Sequence, residues 1–241
     1  MVTIKIIRKL INFFDSFQQQ KIIKFFKKKF QHPIVLIDVG AHNGETVKLF
    51  RSNFKINKIY SFEASLNNFK ILEKNIEKFK LNNFVNIYNL AIGQKDEKGF
   101  LNETIESSSS TINSINLKSN YFKRKLKILN IKPNENFYQK TPIKIITLDH
   151  FISSNEISKI DILKIDTEGY ELSVLKGVKL NYNIIKYVYF EHHYDDMIIK
   201  NYKFSDINNV LNLYGFKKVA KYKMIFRKSF EYIYENQTIV Q

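Results

Sequence analysis

Three stretches combine residue types at spacings that can do chemistry. The first is Val35-Leu36-Ile37-Asp38-Val39-Gly40-Ala41-His42-Asn43-Gly44-Glu45. An apolar, β-branched run ends in an Asp, and two glycines follow four residues apart. Glycine takes positive φ and has no Cβ, so a backbone can come close to a ligand there. A helix starting at Thr46 would aim its N-terminal amides and positive dipole end at the same spot. The chain has seven glycines, and two in one turn favour a nucleotide-type site over a plain strand-to-helix connection. The second is Glu63, at the end of Lys58-Ile59-Tyr60-Ser61-Phe62-Glu63. A carboxylate ~20 residues past a glycine turn can accept both hydroxyl protons of a ribose diol; the alternative is a surface Glu at a strand end. The third is Asp166-Thr167-Glu168-Gly169-Tyr170-Glu171, three carboxylates in six residues, with Glu191-His192-His193 further on. Ligands of open α/β sheets bind outside the carboxyl ends of the strands. Glu168 and Glu171 also read as acidic complements to a helix N-terminus, whereas Asp166 terminates the strand itself.

These residues need strands and helices to position them. Apolar runs read as strands near 35–39, 58–63, 84–93, 143–148, 160–166 and 186–190. The run 84–93 reads as one strand, and Pro142 opens the next. Helices follow at Thr46–Phe50, at Leu66 to about Leu81 with Ser65 as N-cap, and from Tyr170 to Gly177. Strands alternating with helices predict an α/β fold. The tail reads as a helix over 204–214 and two strands near 216–226 and 230–238, a hairpin-like pair suited to an antiparallel edge. From 94 to 141 the pattern weakens. Its polar tract, Ser107 to Thr111, reads either as a solvated loop or as a lid bringing hydroxyls to a substrate.

Composition narrows the classes. The 241 residues predict one domain with an appendage. The absence of Cys excludes a disulfide framework, a thiolate metal site and a Cys nucleophile, and it suits a reducing cytoplasm. No apolar run approaches the ~18 residues of a membrane span, and no cleaved signal peptide is read. The charge of +16 admits nucleic acid, anionic membrane or acidic substrate as partners. It also fits a coding bias, because Lys, Asn and Ile are abundant while Gly, Pro and Trp are scarce or absent. Nucleic acid is disfavoured, since no Arg-rich stripe or aromatic-basic motif is present. Residues 4–30 space apolar side chains helically and fill the polar face with Lys and Arg. That helix either lies on anionic lipid or docks on the domain, and docking is the preferred reading. Glu191-His192-His193 makes a poor metal site by itself, so no metal ligands are assigned.

Four motifs together carry a family resemblance: Asp38-Val39-Gly40-Ala41-His42-Asn43-Gly44-Glu45, Phe62-Glu63-Ala64, Asn89-Leu90-Ala91-Ile92-Gly93 and Lys164-Ile165-Asp166-Thr167-Glu168-Gly169-Tyr170-Glu171. In order and spacing, from about Ile34 to His193, the chain resembles the FkbM family of S-adenosylmethionine-dependent methyltransferases. The resemblance implies a Rossmann-like seven-stranded methyltransferase fold, mostly parallel, with an antiparallel strand near the C-terminus. Residues 1–32, the basic helical segment, lie outside the resemblance, as does most of 112–140; the expected organisation is that segment followed by the methyltransferase domain over 33–241, with an insertion or substrate loop at about 94–141. The glycine spacing agrees, because a nicotinamide site would want G-x-G-x-x-G. The implied cofactor is S-adenosyl-L-methionine, with a divalent metal the disfavoured addition. Its methionine carboxylate would meet the backbone of Gly40, Ala41, His42, Asn43 and Gly44, and its ammonium Asp38. Glu63 and Ala64 would serve the ribose, and Ala91 and Ile92 the adenine. Asp166 is the first candidate to orient the acceptor, with Glu168 and His192 as alternative bases. The expected reaction is O-methylation of a sugar hydroxyl in glycan, glycolipid or secondary-metabolite synthesis. The expected setting is the cytoplasm, with residues 1–30 as a peripheral contact to the inner membrane surface. The alternatives are an RNA methyltransferase, disfavoured because this chain has no N/D-P-P-Y/F motif for amino-group methylation although ribose methylation needs none, and a binding protein that keeps the fold without catalysis. Oligomeric state is not legible.

Overall fold

The computed structural model describes residues 17–105, 109–129, 137–224 and 228–239. The first half of the predicted basic segment, Ser107, Ser108 and residues 130–136 lie outside them. Among the described residues ten strands and seven α-helices follow in the order α1 (17–27), β1 (Ile34–Val39), α2 (Glu45–Asn53), β2 (Ile56–Phe62), α3 (Leu66–Lys78), β3 (Val85–Tyr88), β4 (Ala91–Ile92), β5 (Glu97–Thr104), α4 (Asn120–Leu129), β6 (Tyr138–Ile146), α5 (Leu148–Ser154), β7 (Ile160–Ile165), α6 (Glu171–Lys176), β8 (Ile185–His193), α7 (Phe204–Leu213), β9 (Phe216–Lys223) and β10 (Ser229–Asn236).

Seven strands form one sheet in the order β3-β2-β1-β7-β8-β10-β9. The pairs from β3 through β8 are parallel, and β10 runs antiparallel to both β8 and β9. The antiparallel strand is therefore inside the sheet, and the edge strand β9 runs with the majority. That corrects the expected antiparallel edge. The reason is burial: β10 places Tyr232, Ile233 and Tyr234 fully inside, whereas β9 carries the exposed Lys217, Lys218, Lys221 and Lys223. Charged side chains on an exposed strand discourage edge-to-edge pairing.

Burial follows the two-residue period of the strands. On one face Leu36, Ile162, Tyr187 and Ile233 pack against Ile22, Ile23 and Phe26 of α1, Phe50 of α2 and Leu72 of α3. On the other, Ile37, Leu163, Val188 and Tyr232 pack against Phe151 of α5, Leu175 of α6 and Leu211 of α7. The described part of the N-terminal helix thus docks its apolar stripe on the sheet. Its Gln18 side chain donates to the Lys223 carbonyl at 2.9 Å, which sets the start of α1 beside the end of β9.

The run 84–93 is two strands, not one. β3 joins the large sheet, while β4 joins a second, three-stranded sheet in the order β4-β6-β5. Asn89 breaks the run, and its amide donates to the Glu63 carbonyl at 2.8 Å. Much of the stretch 94–141 is also ordered, because β5 and β6 pair antiparallel from Glu97↔Ile145 to Thr104↔Tyr138. Pro142 lies within β6, not at its start. It is tolerated there because β4 pairs only with Ile145 and Ile146, leaving that side of β6 unpaired at 142.

Candidate active site

A cleft of about 280 Å³ opens at the carboxyl ends of β1, β2, β7 and β8. Its near end is built by the glycine turn and by β2. Gly40 has φ +87, and a Cβ there would sit 1.9 Å from the Asp166 carbonyl oxygen. Only glycine lets the β1 and β7 ends approach this closely. The turn amides are already engaged. Those of Gly40 and Ala41 donate to the Phe62 carbonyl, that of Gly44 donates to Ala41, and that of His42 donates to Glu63 Oε2 at 2.8 Å. These four amides therefore shape the turn instead of facing a carboxylate ligand, which departs from the sequence expectation. Glu63 is fixed from both sides, since its Oε1 accepts from the Ser65 amide at 2.8 Å. Each oxygen keeps a lone pair, so the two together present a planar double acceptor for the two hydroxyl donors of a ribose diol. Burial raises the Glu63 carboxyl above its usual range, opposed by those two amides.

The cleft is lined by Gly40, Ala41, His42, Glu63, Ala64, Ala91 and Ile92 among the expected cofactor residues. Asp38, Asn43 and Gly44 are not in the lining. Asp38 is fully buried beneath it, 3.5 Å from Lys164 Nζ. Burial pushes the Asp38 carboxyl up to about 6, against the pull of Lys164. Leu90, Leu101 and Ile112 complete an apolar wall beside Ala91 and Ile92, the surface an adenine ring would stack on. Ser110 and Thr111 reach the cleft, and the Thr111 hydroxyl donates to the Glu168 carbonyl at 2.8 Å. The described part of the polar tract is thus built into the site, with Ser109 and Thr111 buried.

The far end is ionic. Lys164 Nζ lies 3.1 Å from Asp166 Oδ2 as well as near Asp38. Burial opposes its charge, but the two carboxylates hold its pKa above the ordinary lysine value. Glu168 has φ +50, a left-handed conformation that a non-glycine residue rarely adopts. Burial pushes its carboxyl up to about 7, opposed by His193. His193 Nε2 stands 3.6 Å from Glu168 and 3.5 Å from Glu191, and its Nδ1 is 3.4 Å from Asp195. Burial works against its charge, yet Glu168 and Glu191 lift its pKa to about 10.

The structure brings Asp166 and Glu168 to the cleft and separates His192 from them. Glu191-His192-His193 is the end of β8, not a loop beyond it. Successive side chains therefore alternate faces. His192 packs among Tyr194, Tyr202 and Phe204, and burial, followed by Lys200 and His193, lowers its pKa to about 4. His193 takes the place beside Glu168 that the sequence reading gave to His192. Lys164, Tyr189, Glu191 and Glu231 also line the cleft; Lys164 and Glu191 stand in the sequence motifs without an assigned role, and Tyr189 and Glu231 were not picked out from sequence. Their signal was the strand period, which puts Tyr187, Tyr189, Glu191 and His193 on one face. No cluster of His, Asp and Glu with metal-holding geometry occurs among the described residues.

This fold and cleft define a nucleotide-cofactor enzyme of the Rossmann-like methyltransferase class. The family model for the methyltransferase FkbM domain matches residues 38–218, and the chain belongs to that family of S-adenosylmethionine-dependent methyltransferases. No curated protein sequence matches it. Among solved structures it is similar to methyltransferase FkbM from Methylobacillus flagellatus (TM-score 0.55, 14% identity, 84% of this chain and 44% of that one). It is also similar to M. capricolum TrmK in complex with S-adenosylhomocysteine (0.52, 11%, 93% and 70%). A third is the magnesium protoporphyrin IX methyltransferase of Synechocystis with bound S-adenosylmethionine (0.52, 9%, 94% and 82%). The chain thus spans less than half the length of the Methylobacillus protein. At these identities the likeness is one of fold.

Proposed function

We propose that the protein methylates a hydroxyl oxygen of an acceptor, a sugar unit of a glycan, glycolipid or secondary-metabolite precursor. The observation that carries this reading is Glu168, a carboxylate near pKa 7 at the carboxyl end of β7, in the cleft wall. Glu63 would hold the ribose of S-adenosylmethionine, and Ala91, Ile92 and Leu90 its adenine. When bound, the cofactor supplies a methyl group on a positively charged sulfur, open to in-line attack. The donor is activated already, so alignment of the acceptor supplies much of the rate. Glu168 takes the hydroxyl proton as charge develops, since a base matched to neutral pH does this best. Asp166 orients the acceptor, and Lys164 holds Asp166. His193 keeps its proton and balances Glu168, Glu191 and Asp195.

We also propose a peripheral contact with anionic membrane through the exposed Lys21, Lys24 and Lys27 of α1 and Lys28 just after it, with the apolar stripe of α1 already occupied by the sheet. Calorimetric titration with S-adenosylmethionine and S-adenosylhomocysteine tests the cofactor. Micromolar binding, weakened about 10- to 100-fold in Glu63→Gln, is expected from losing a charged hydrogen-bond acceptor. No binding to folded wild-type protein would sink the reading.

A further inference from the structure

The cleft extends well past what a nucleoside held on β1 and β2 needs. In the strand order β2-β1-β7-β8-β10 its Glu63 and Glu231 ends are four strand spacings apart, about 19 Å. The far end is walled by Tyr189 and Glu191 of β8, Glu231 of β10, Gln19 of α1 and Met224 beyond β9.

Glu191 and Glu231 stand directly opposite each other in the antiparallel β8–β10 register. Like charges so placed destabilise a sheet. Each residue is only 7% exposed. Glu191 Oε1 is buried without a hydrogen-bond partner, and the neighbouring cation, His193 Nε2, is 3.5 Å away. Glu231 is matched by the Tyr189 hydroxyl and by Lys164, whereas Glu191 Oε1 is left open toward the cleft. Burial first, then Glu191 and Asp166, keep the Glu231 acid protonated far above the usual carboxyl range. The pair accordingly offers one O–H donor and several acceptor lone pairs side by side.

That set matches two hydroxyl groups of one molecule. An anion would face Glu191, Asp166 and Glu168 in a poorly solvated space, where repulsion is strong. A cation would face Lys164 and His193. We propose that Glu191 and Glu231 form the acceptor subsite, holding a neutral polyol through two hydroxyls and refusing forms with phosphate or carboxylate at that position. The proposal rests on the methyltransferase reading only in calling the bound polyol the acceptor.

The test is saturation-transfer NMR on the full-length protein saturated with S-adenosylhomocysteine. The probes are the methyl α-glycosides of glucose, mannose, galactose and fucose, with glucose 6-phosphate and methyl glucuronide as charged counterparts. At least one neutral glycoside should bind, five-fold or more tightly than either charged probe. Glu191→Gln should weaken it about ten-fold and Glu231→Gln less, with S-adenosylhomocysteine affinity unchanged in both. Glu231→Gln should melt close to wild type, because Gln has the shape of the protonated acid, and circular dichroism checks that Glu191→Gln is folded. Equal binding of charged probes, undiminished binding in Glu191→Gln/Glu231→Gln, or no neutral probe bound would overturn the subsite. Neutral-probe binding without any S-adenosylhomocysteine binding would keep the subsite and defeat the methyltransferase reading instead.

Discussion

One face of the sheet, the one covered by α1, α2 and α3, changes character along its strands. At the amino-terminal half of the parallel strands it presents Leu36, Ile162 and Tyr187, all buried against helices. Two to four residues further along the same face it presents Asp38, Lys164 and Glu191, with Glu231 of β10 opposite Glu191, all buried as well. Backbone, register and burial are shared, so the chemistry alone differs. The apolar half stabilises by removing surface from water. The ionic half holds charges whose desolvation is only partly repaid by their pairing. Stability is sacrificed where the cleft opens, which is the expected signature of a functional site.

Substitutions can break this comparison, and the largest effect is expected on rate. Glu168→Gln should lower kcat by about 10²- to 10⁴-fold, the usual contribution of a general base. The wild-type rate should rise as pH rises through about 7, because the base must be ionised and its carboxyl titrates there. A pH–rate profile of Glu168→Gln should lack that rise; its persistence would assign the base elsewhere. Next comes Lys164→Met, which leaves Asp38 and Asp166 without their shared cation. Removing one partner of a buried ion network costs about 3–5 kcal/mol, to be read by chemical denaturation. In the apolar half, Ile162→Ala should cost about 2–5 kcal/mol through the cavity it leaves. Its S-adenosylhomocysteine affinity, measured well below the melting temperature, should not change; a large loss would mean the two halves are not separate. The smallest effect belongs to α1. Replacing Lys21, Lys24, Lys27 and Lys28 with Gln should reduce sedimentation with anionic vesicles, at about 1 kcal/mol per lysine near the surface, while leaving the melting temperature within about 2 °C. Unchanged sedimentation would remove the membrane contact.

The glycine of the motif that ends α6 shows how a residue can be read correctly for an incomplete reason. In sequence Gly177 marks the end of a helix. Its backbone is ordinary, with φ −81, so conformational freedom is not why it is glycine. A Cβ there would lie 2.0 Å from the Gly93 carbonyl oxygen. The requirement comes from a neighbour 84 positions away, which no local pattern contains. His192 and His193 make the same point. Both types were legible, but which one faces Glu168 depends on where β8 ends. The apolar run gave Phe190, whereas pairing with β10 carries the strand on to His193.

By itself the sequence determined the alternation of strands and helices, the glycine turn after β1, the Ser65 cap, the acidic stretch after β7 and the family. These are local signals, carried by periodicity, backbone freedom and short-range hydrogen bonds. Tertiary structure alone decided that β10 lies inside the sheet, that 84–93 divides between two sheets, and that Glu191 meets Glu231. Strand pairing joins residues far apart in the chain, and a carboxylate's partner, burial and proton are set by that pairing and not by its neighbours in sequence.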